Sequence, residues 1–505
     1  MSLYHYDELI YNYLLSERVA GWEKEFDMIK NMRDSICENI CSDSMIHSIE
    51  TLKWSQDRCL INKDIRCSVQ PPYKGDIILE GYLTNDPHNC SDKILLISTT
   101  EYPDNTWILY NLAVENSALS VIFYDYYPDR YRRIVINGDW HYSFHKSMRN
   151  PVPAVHIRLN DYPTLRRYLG KRISIDLRSS LSLSKGYILE TIIEGKDPKK
   201  EIILSAHHDS WYSGFRDDGV GLLTILFLAK NLEKMNISNL PTIRLISFTA
   251  EEFGDPRNPG WYWAYGSRYY LEKIYDIDNT GSKTMISVVM DTAFKEPINI
   301  SYSYPDLGYF VAEKLDLENK LDGYGHPYMD SISFIQKGIP TITLHNFNEI
   351  IPVYHTNLDT LYSGWIGFLE KFSISLIKLF AELRDEKALR PRMIINELKE
   401  YLPVPRYERL YRKISYLNSS KDYMYLHSCL TRSLLKPIVL NSYRKLYTEI
   451  HLYLLLMIPK IKNVEKVIVA GEEKILDVRN RGGEDSFTSY LENRLDEFEE
   501  CLGNR

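Results

Sequence analysis

A chain of 505 residues with 44% apolar and 26% charged residues has an ordinary globular composition, too long for one hydrophobic core and sized for about three or four domains. Its formal net charge of −7 leaves no basic footprint for nucleic acid, and no apolar run reaches the roughly 18 residues that span a bilayer. Cys37, Cys41, Cys59, Cys67, Cys90, Cys429 and Cys501 are odd in number and thinly spread, so they read as partly buried thiols rather than a disulfide framework. The start of the chain carries acids early and no basic region ahead of an apolar core, so no secretory signal is expected and a cytoplasmic location is the default.

Residues 1–74 open with helical spacing through YDELIYNYLLSERV and are expected to turn irregular toward the Pro pair at 71–72. GDIILEGYL, KILLIST, SVIFYDYY and AVHIRL are short β-rich runs between turn residues, which makes 75–184 a β-rich insertion. Over 185–390, apolar strand-like runs such as EIILSA, TIRLISFTA and MISVVMD alternate with longer helical patterns such as GLLTILFLAKNLEKM. That alternation predicts an α/β core, a mixed, mostly parallel sheet sandwiched by helices. Residues 391–505 show no strand alternation until KVIVAG and read as a mainly helical domain.

Four polar clusters follow apolar strands of the α/β segment: His207-His208-Asp209 with Arg216-Asp217-Asp218, then Glu251-Glu252, then Asp291, then Tyr354-His355-Thr356 with Asp359. A single acid at a strand end is commonly a helix cap or a solvated turn. Four clusters in chain order, at one edge of one sheet, are harder to explain that way, because ligands collect at the carboxyl ends of such strands. Imidazole and carboxylate are ligand types that suit zinc, with cobalt or manganese as substitutes.

HHDSWYSGFRDDGVG, AEEFG, VVMD and YHTNLDT resemble the co-catalytic zinc exopeptidases, which include leucyl aminopeptidases, glutamate carboxypeptidase and the transferrin receptor. The resemblance implies two Zn²⁺ per chain, His207 and Asp291 on one, Glu252 and His355 on the other, Asp217 bridging both, and Glu251 as general base. It further implies that 75–184 is protease-associated-like, that 391–505 forms a homodimer contact, and that the substrate is a peptide. Asp209, two residues beyond His207, is expected to hydrogen-bond the distal ring nitrogen, and Asp359 to orient the His355 segment; an Asx turn is the alternative for each. His208 should point away from His207, and Asp218 should cap the following helix.

The sequence departs from the family at Val220, where a Ser is usual, and in the insertion DPRNPGWYWAY, whose Trp261, Tyr262 and Trp263 are expected either to wall a substrate pocket or to pack against a neighbouring domain. Between Asp291 and His355 the basic residues are lysines 295, 314, 320 and 337, with no arginine to clamp a terminal carboxylate, so an aminopeptidase is favoured over a carboxypeptidase. A non-catalytic binding protein and a single-zinc cyclase are the other readings. No Gly-x-Ser-x-Gly supports a serine hydrolase.

Overall fold

The computed structural model describes residues 9–383 except 39, 100–103, 137–151, 235–239, 258–262, 276–282 and 326–327. Beyond 383 it describes 393, 396, 399, 404–420, 425, 426, 429, 433, 438–442, 445–449, 464–469, 474–477 and 486–503. The strands in chain order are β1 (Asp43–Ile61), β2 (Ile65–Arg66), β3 (Ser68–Val69), β4 (Gly75–Thr84), β5 (Lys93–Ser98), β6 (Ser120–Tyr124), β7 (Ala154–His156), β8 (Arg172–Ile193), β9 (Asp197–His207), β10 (Pro241–Phe248), β11 (Thr284–Asp291), β12 (Ile298–Tyr302), β13 (Asn319–Tyr324) and β14 (Thr341–His345). They form one 14-stranded sheet in the order β13-β12-β14-β11-β9-β10-β8-β4-β5-β6-β7-β3, with β1 paired to β8 and β2 to β1.

Strands β10, β9, β11 and β14 are parallel neighbours at the centre of this path. Every residue of β11 and β14 is buried, as near-continuous apolar strands covered on both faces must be. Alternate residues feed opposite layers. Ile202, Leu204 and Ala206 join the core under helices Val220–Lys234 and Trp365–Glu382, whereas Ile203 joins Phe248, Tyr270 and Phe334 on the other side. The expected α/β sandwich is therefore present.

Strand β8 is the spine. Its last residues pair with β10, its first with β4, and nearly its whole length with β1. It runs without a break through residue 184, where the insertion was expected to give way to the core.

Three expectations are corrected. The stretch before the Pro pair, expected to be irregular, contains β1, 19 residues long; its polar-rich DSMIHSIETLKWSQDRCLI carries little apolar alternation because much of the strand is only half-buried. The C-terminal segment, expected to be mainly helical, has a second, antiparallel sheet, β15 (Ile438–Ser442), β16 (Lys445–Glu449), β17 (Val464–Val469) and β18 (Lys474–Asp477), besides helices Val404–Ser420 and Ser486–Gly503. Strands of four to six residues are too short for period-two alternation to separate them from helix. The cysteines are not all thiols: Cys37–Cys41, Cys59–Cys67 and Cys429–Cys501 are disulfide-bonded, leaving Cys90 buried and unbridged. No described helix is long and apolar enough to cross a membrane.

Leu204 is fully buried in the middle of β9. Leu204→Ala should cost about 2–5 kcal/mol, read as a lowered urea midpoint, because the strands around it cannot collapse into the cavity.

Candidate metal centre

The parallel strands deliver the site residues to one sheet edge. His207 and Asp291 are the last residues of β9 and β11, Glu251 and Glu252 follow β10, and Asp217 lies between β9 and the helix Val220–Lys234. His355 comes ten residues after β14 ends. The chain turns sharply at these points: Ala250, Thr292 and His355 have φ of 56°, 56° and 55°, left-handed values that non-glycine residues hold only when surrounding structure enforces them.

Two sets of donor atoms converge, His207 with Asp217 and Asp291, and Asp217 with Glu252 and His355, each set lying within 4.8 Å. Asp217 belongs to both. Its Oδ1 lies 3.2 Å from His207 Nε2 and its Oδ2 lies 3.5 Å from His355 Nε2, while Glu252 Oε2 is 2.7 Å from His355 Nε2. Donor atoms about 2.0–2.2 Å from one tetrahedral zinc stand roughly 3.3–3.6 Å apart, so the two Asp217–histidine spacings are close to what a cation on each side of that carboxylate requires. Glu252 and His355, in contrast, stand at hydrogen-bond distance and would have to part by somewhat less than about 1 Å to share one.

The electrostatics call for such cations. Burial, reinforced by neighbouring carboxylates, pushes Glu251, Glu252 and Asp218 well above the usual carboxylate range and Asp291 up to about 7. Burial alone would lower His207, but the contact with Asp217 and the charges of Glu251, Asp218 and Asp291 outweigh it and raise it well above 6.5. His355 goes the other way, lowered to about 4 by burial, and so is held neutral as a ligand imidazole must be. Asp217 Oδ2, Glu251 Oε1 and Glu252 Oε1 are buried without hydrogen-bond partners, which is costly unless a cation satisfies them.

A family model described as peptidase family M28 matches residues 189–364, a span that holds every residue of both donor sets and Glu251. The chain carries a peptidase family M28 domain. A probable leucine aminopeptidase 2 of Aspergillus oryzae is 34% identical over 83 residues, which is 16% of this chain and 14% of that relative. The chain thus spans about a seventh of the curated relatives it matches. Among solved structures, a zinc aminopeptidase from Bacillus subtilis has a TM-score of 0.53 at 17% identity, covering 74% of this chain and 93% of that one. A peptidase M28 precursor from Shewanella amazonensis has a TM-score of 0.59 at 17% identity, covering 76% and 93%. At such identities the likeness is one of fold.

Around the donor sets of the M28 domain, the supporting contacts differ from those expected. His207 Nδ1 is 3.0 Å from the backbone carbonyl of Asp209, the partner that fixes its tautomer, whereas the Asp209 carboxylate stands 3.8 Å away. That carboxylate instead accepts hydrogen bonds from the backbone N–H groups of Glu251 (3.0 Å) and Glu252 (3.1 Å). Asp359 likewise serves a different segment from the one expected. It accepts from the N–H groups of Arg216 (3.0 Å) and Asp217 (3.2 Å) and from the Arg216 guanidinium (3.0 Å). His208 turns away, as expected, onto Ser247 and Glu25. Asp218 accepts from Gly221 N–H at the helix start, and the Asp217-Asp218 peptide is cis.

Of the expected pocket aromatics, Trp261 and Tyr262 lie outside the described residues. Trp263 is buried and packs its ring 5.6 Å from Tyr328, the packing contact that was one of the two expectations for it. The insertion's far end returns to the site, where Ala264 N–H donates to the Glu251 carbonyl at 2.7 Å. Gly266 permits that return, since a Cβ there would stand 2.0 Å from the Thr249 carbonyl oxygen.

Sequence reasoning missed four charged supporting residues. Asp330 is buried, and its charge acts on both Glu251 and Asp291. Neighbouring Ser267 has its hydroxyl engaged with the Ala264 carbonyl and Ser333. Arg18, fully buried, donates to the carbonyls of His208 (2.7 Å), Ser213 (2.5 Å) and Gly214 (3.1 Å). Arg132 and Arg133 reach the His355 turn from the β-rich segment. None carries a local signal: each is a common charged residue at an isolated bridge, in a loop or ahead of a helix.

Asp209→Ala leaves the His207 carbonyl contact in place but frees the Glu251-Glu252 backbone. It should reduce turnover by about 10–100-fold. Steady-state kinetics beside metal analysis tests this, and an unchanged kcat would remove the positioning role.

Proposed function

We propose that the chain is a metal-dependent aminopeptidase with two zinc ions, one held by His207, Asp217 and Asp291 and the other by Asp217, Glu252 and His355. The observation that carries this reading is the Asp217 carboxylate, whose two oxygens face two different histidines. When bound, the ions would polarise a peptide carbonyl and make a water acidic enough to ionise near neutral pH. Glu251, buried at the same site with Oε1 lacking a hydrogen-bond partner, takes the proton of the attacking water and passes it to the leaving amine. Asp209 keeps the two adjacent carboxylates in separate roles by pinning both of their N–H groups.

The surplus of buried acid favours a free amine over a free carboxylate. With Asp330 and Glu251 added to the ligand acids, the pocket carries more negative charge than two dications balance, which suits an ammonium group. The name of the fungal relative, leucine aminopeptidase, points the same way. The protease-associated-like character of 75–184 and the dimerisation role of 391–505 rest on resemblance.

The test combines metal analysis with hydrolysis of amino-acid anilides and of dipeptides ending in Glu, before and after chelation. About two zincs per chain and chelator-sensitive anilide cleavage support the reading. Cleavage of the Glu dipeptides alone would make it a carboxypeptidase, one zinc would favour a cyclase, and neither metal nor turnover would leave a binding protein. Glu251→Gln should lower kcat by about 10²–10⁴-fold with zinc content unchanged, and retained activity would remove its role as base.

A further inference from the structure

Residues 131–133 of the β-rich segment lie antiparallel against the turn that carries His355. Arg132 forms an isolated bridge with Thr356, Arg133 N–H donates to the His355 carbonyl at 3.0 Å, and Asn357 N–H donates to the Tyr131 carbonyl at 3.3 Å. The Asn357 side chain closes the ladder by accepting from Tyr131 N–H at 2.7 Å.

Two contacts go beyond docking. The carbonyl of Arg133 lies 3.2 Å from His355 Nδ1, so it accepts the ring proton and leaves Nε2 facing Asp217 and Glu252. The Arg132 guanidinium, 1% exposed, donates from Nη1 to the Tyr354 carbonyl (2.6 Å) and from Nη2 to the Ile351 carbonyl (3.0 Å), which holds the turn immediately before His355. Arg132 is itself braced by Asp125, on Nε at 2.9 Å, and by Gln70, whose side chain bonds the Arg132 carbonyl and Ile134 N–H.

We propose that this segment is part of the metal site: Arg132 is a positioning residue for His355, and affinity for the cation on the Glu252–His355 side depends on the insertion. His207 has its tautomer set within its own loop, by the Asp209 carbonyl, so the other side should not share that dependence. The two cation sites then differ in what supports them, one within the core and one through the β-rich segment.

The inference rests on the two-zinc reading and is tested on the full-length protein by competing Zn²⁺ between the metal-stripped chain and a chromophoric chelator, which yields two dissociation constants. Arg132→Met should raise one of them about 10–100-fold and leave the other unchanged, with activity lost at limiting zinc and recovered in excess. Asn357→Ala, at an exposed position, should weaken the same constant by a smaller factor, and it decides the matter if Arg132→Met does not fold. Tyr110→Phe removes a bond to the Val152 carbonyl inside the β-rich segment and should leave both constants alone. Unchanged constants in folded Arg132→Met or in Asn357→Ala, or equal weakening of both, would overturn the inference while leaving the peptidase reading intact. A wild-type chain that binds no zinc would overturn both.

Discussion

The fold around this site is organised by the need to keep several carboxylates ionised where water is scarce. Asp217, Glu251, Glu252, Asp291 and Asp330 are all buried around one site, and burial pushes Glu251, Glu252, Asp291 and Asp330 toward the neutral acid. Transfer of even one unpaired carboxylate into such surroundings is unfavourable by far more than a typical hydrogen bond recovers. Divalent cations shared through Asp217, as proposed, would relieve that repulsion, and each surrounding loop is fixed so that the acids cannot escape it by moving apart.

The loops are fixed mostly by charged side chains acting on backbone, which differs from the usual picture of one side chain orienting another. Asp209 takes two N–H groups after β10, Asp359 takes two in the Arg216–Asp217 turn, and Arg18 takes three carbonyls of the loop after β9. Backbone groups move less than side chains, and charge-assisted hydrogen bonds are about twice as strong as neutral ones. A buried ion used in this way satisfies polar groups that a tight loop would otherwise leave unpaired.

The central sheet and the donor sets were legible in the sequence for one reason: parallel strands buried on both faces are continuous apolar runs, so the polar residues at their ends stand out. His207, Asp217, Glu252, Asp291 and His355, drawn from those strand ends and picked out by the family resemblance, do converge. What lay beyond those runs was harder to read. β1 is half-buried and polar along much of its length, the C-terminal strands are short, and the disulfides join cysteines whose pairing no spacing specifies. Asp209 and Asp359 were recognised as residues of interest, yet their partners are N–H groups, and the backbone has no letter in the sequence.

The long strand β8 gives the contact between the β-rich segment and His355 its fixed geometry. A module joined by a flexible linker would reach the His355 turn only part of the time, and each contact would carry an ordering cost. Here β8 pairs with β10 of the core at one end and with β4 at the other, and β1 pairs with it across the junction, so the two halves of the sheet share a backbone. Residues 131–133 are thus presented to 355–357 already in register, with Gln70 and His156 holding their other side. A histidine whose ring proton is accepted by another part of the chain ordinarily adds a weak point to a metal site. The continuous sheet reduces that weakness, because the β-rich segment cannot swing away from the core as a unit without breaking the pairing of β8.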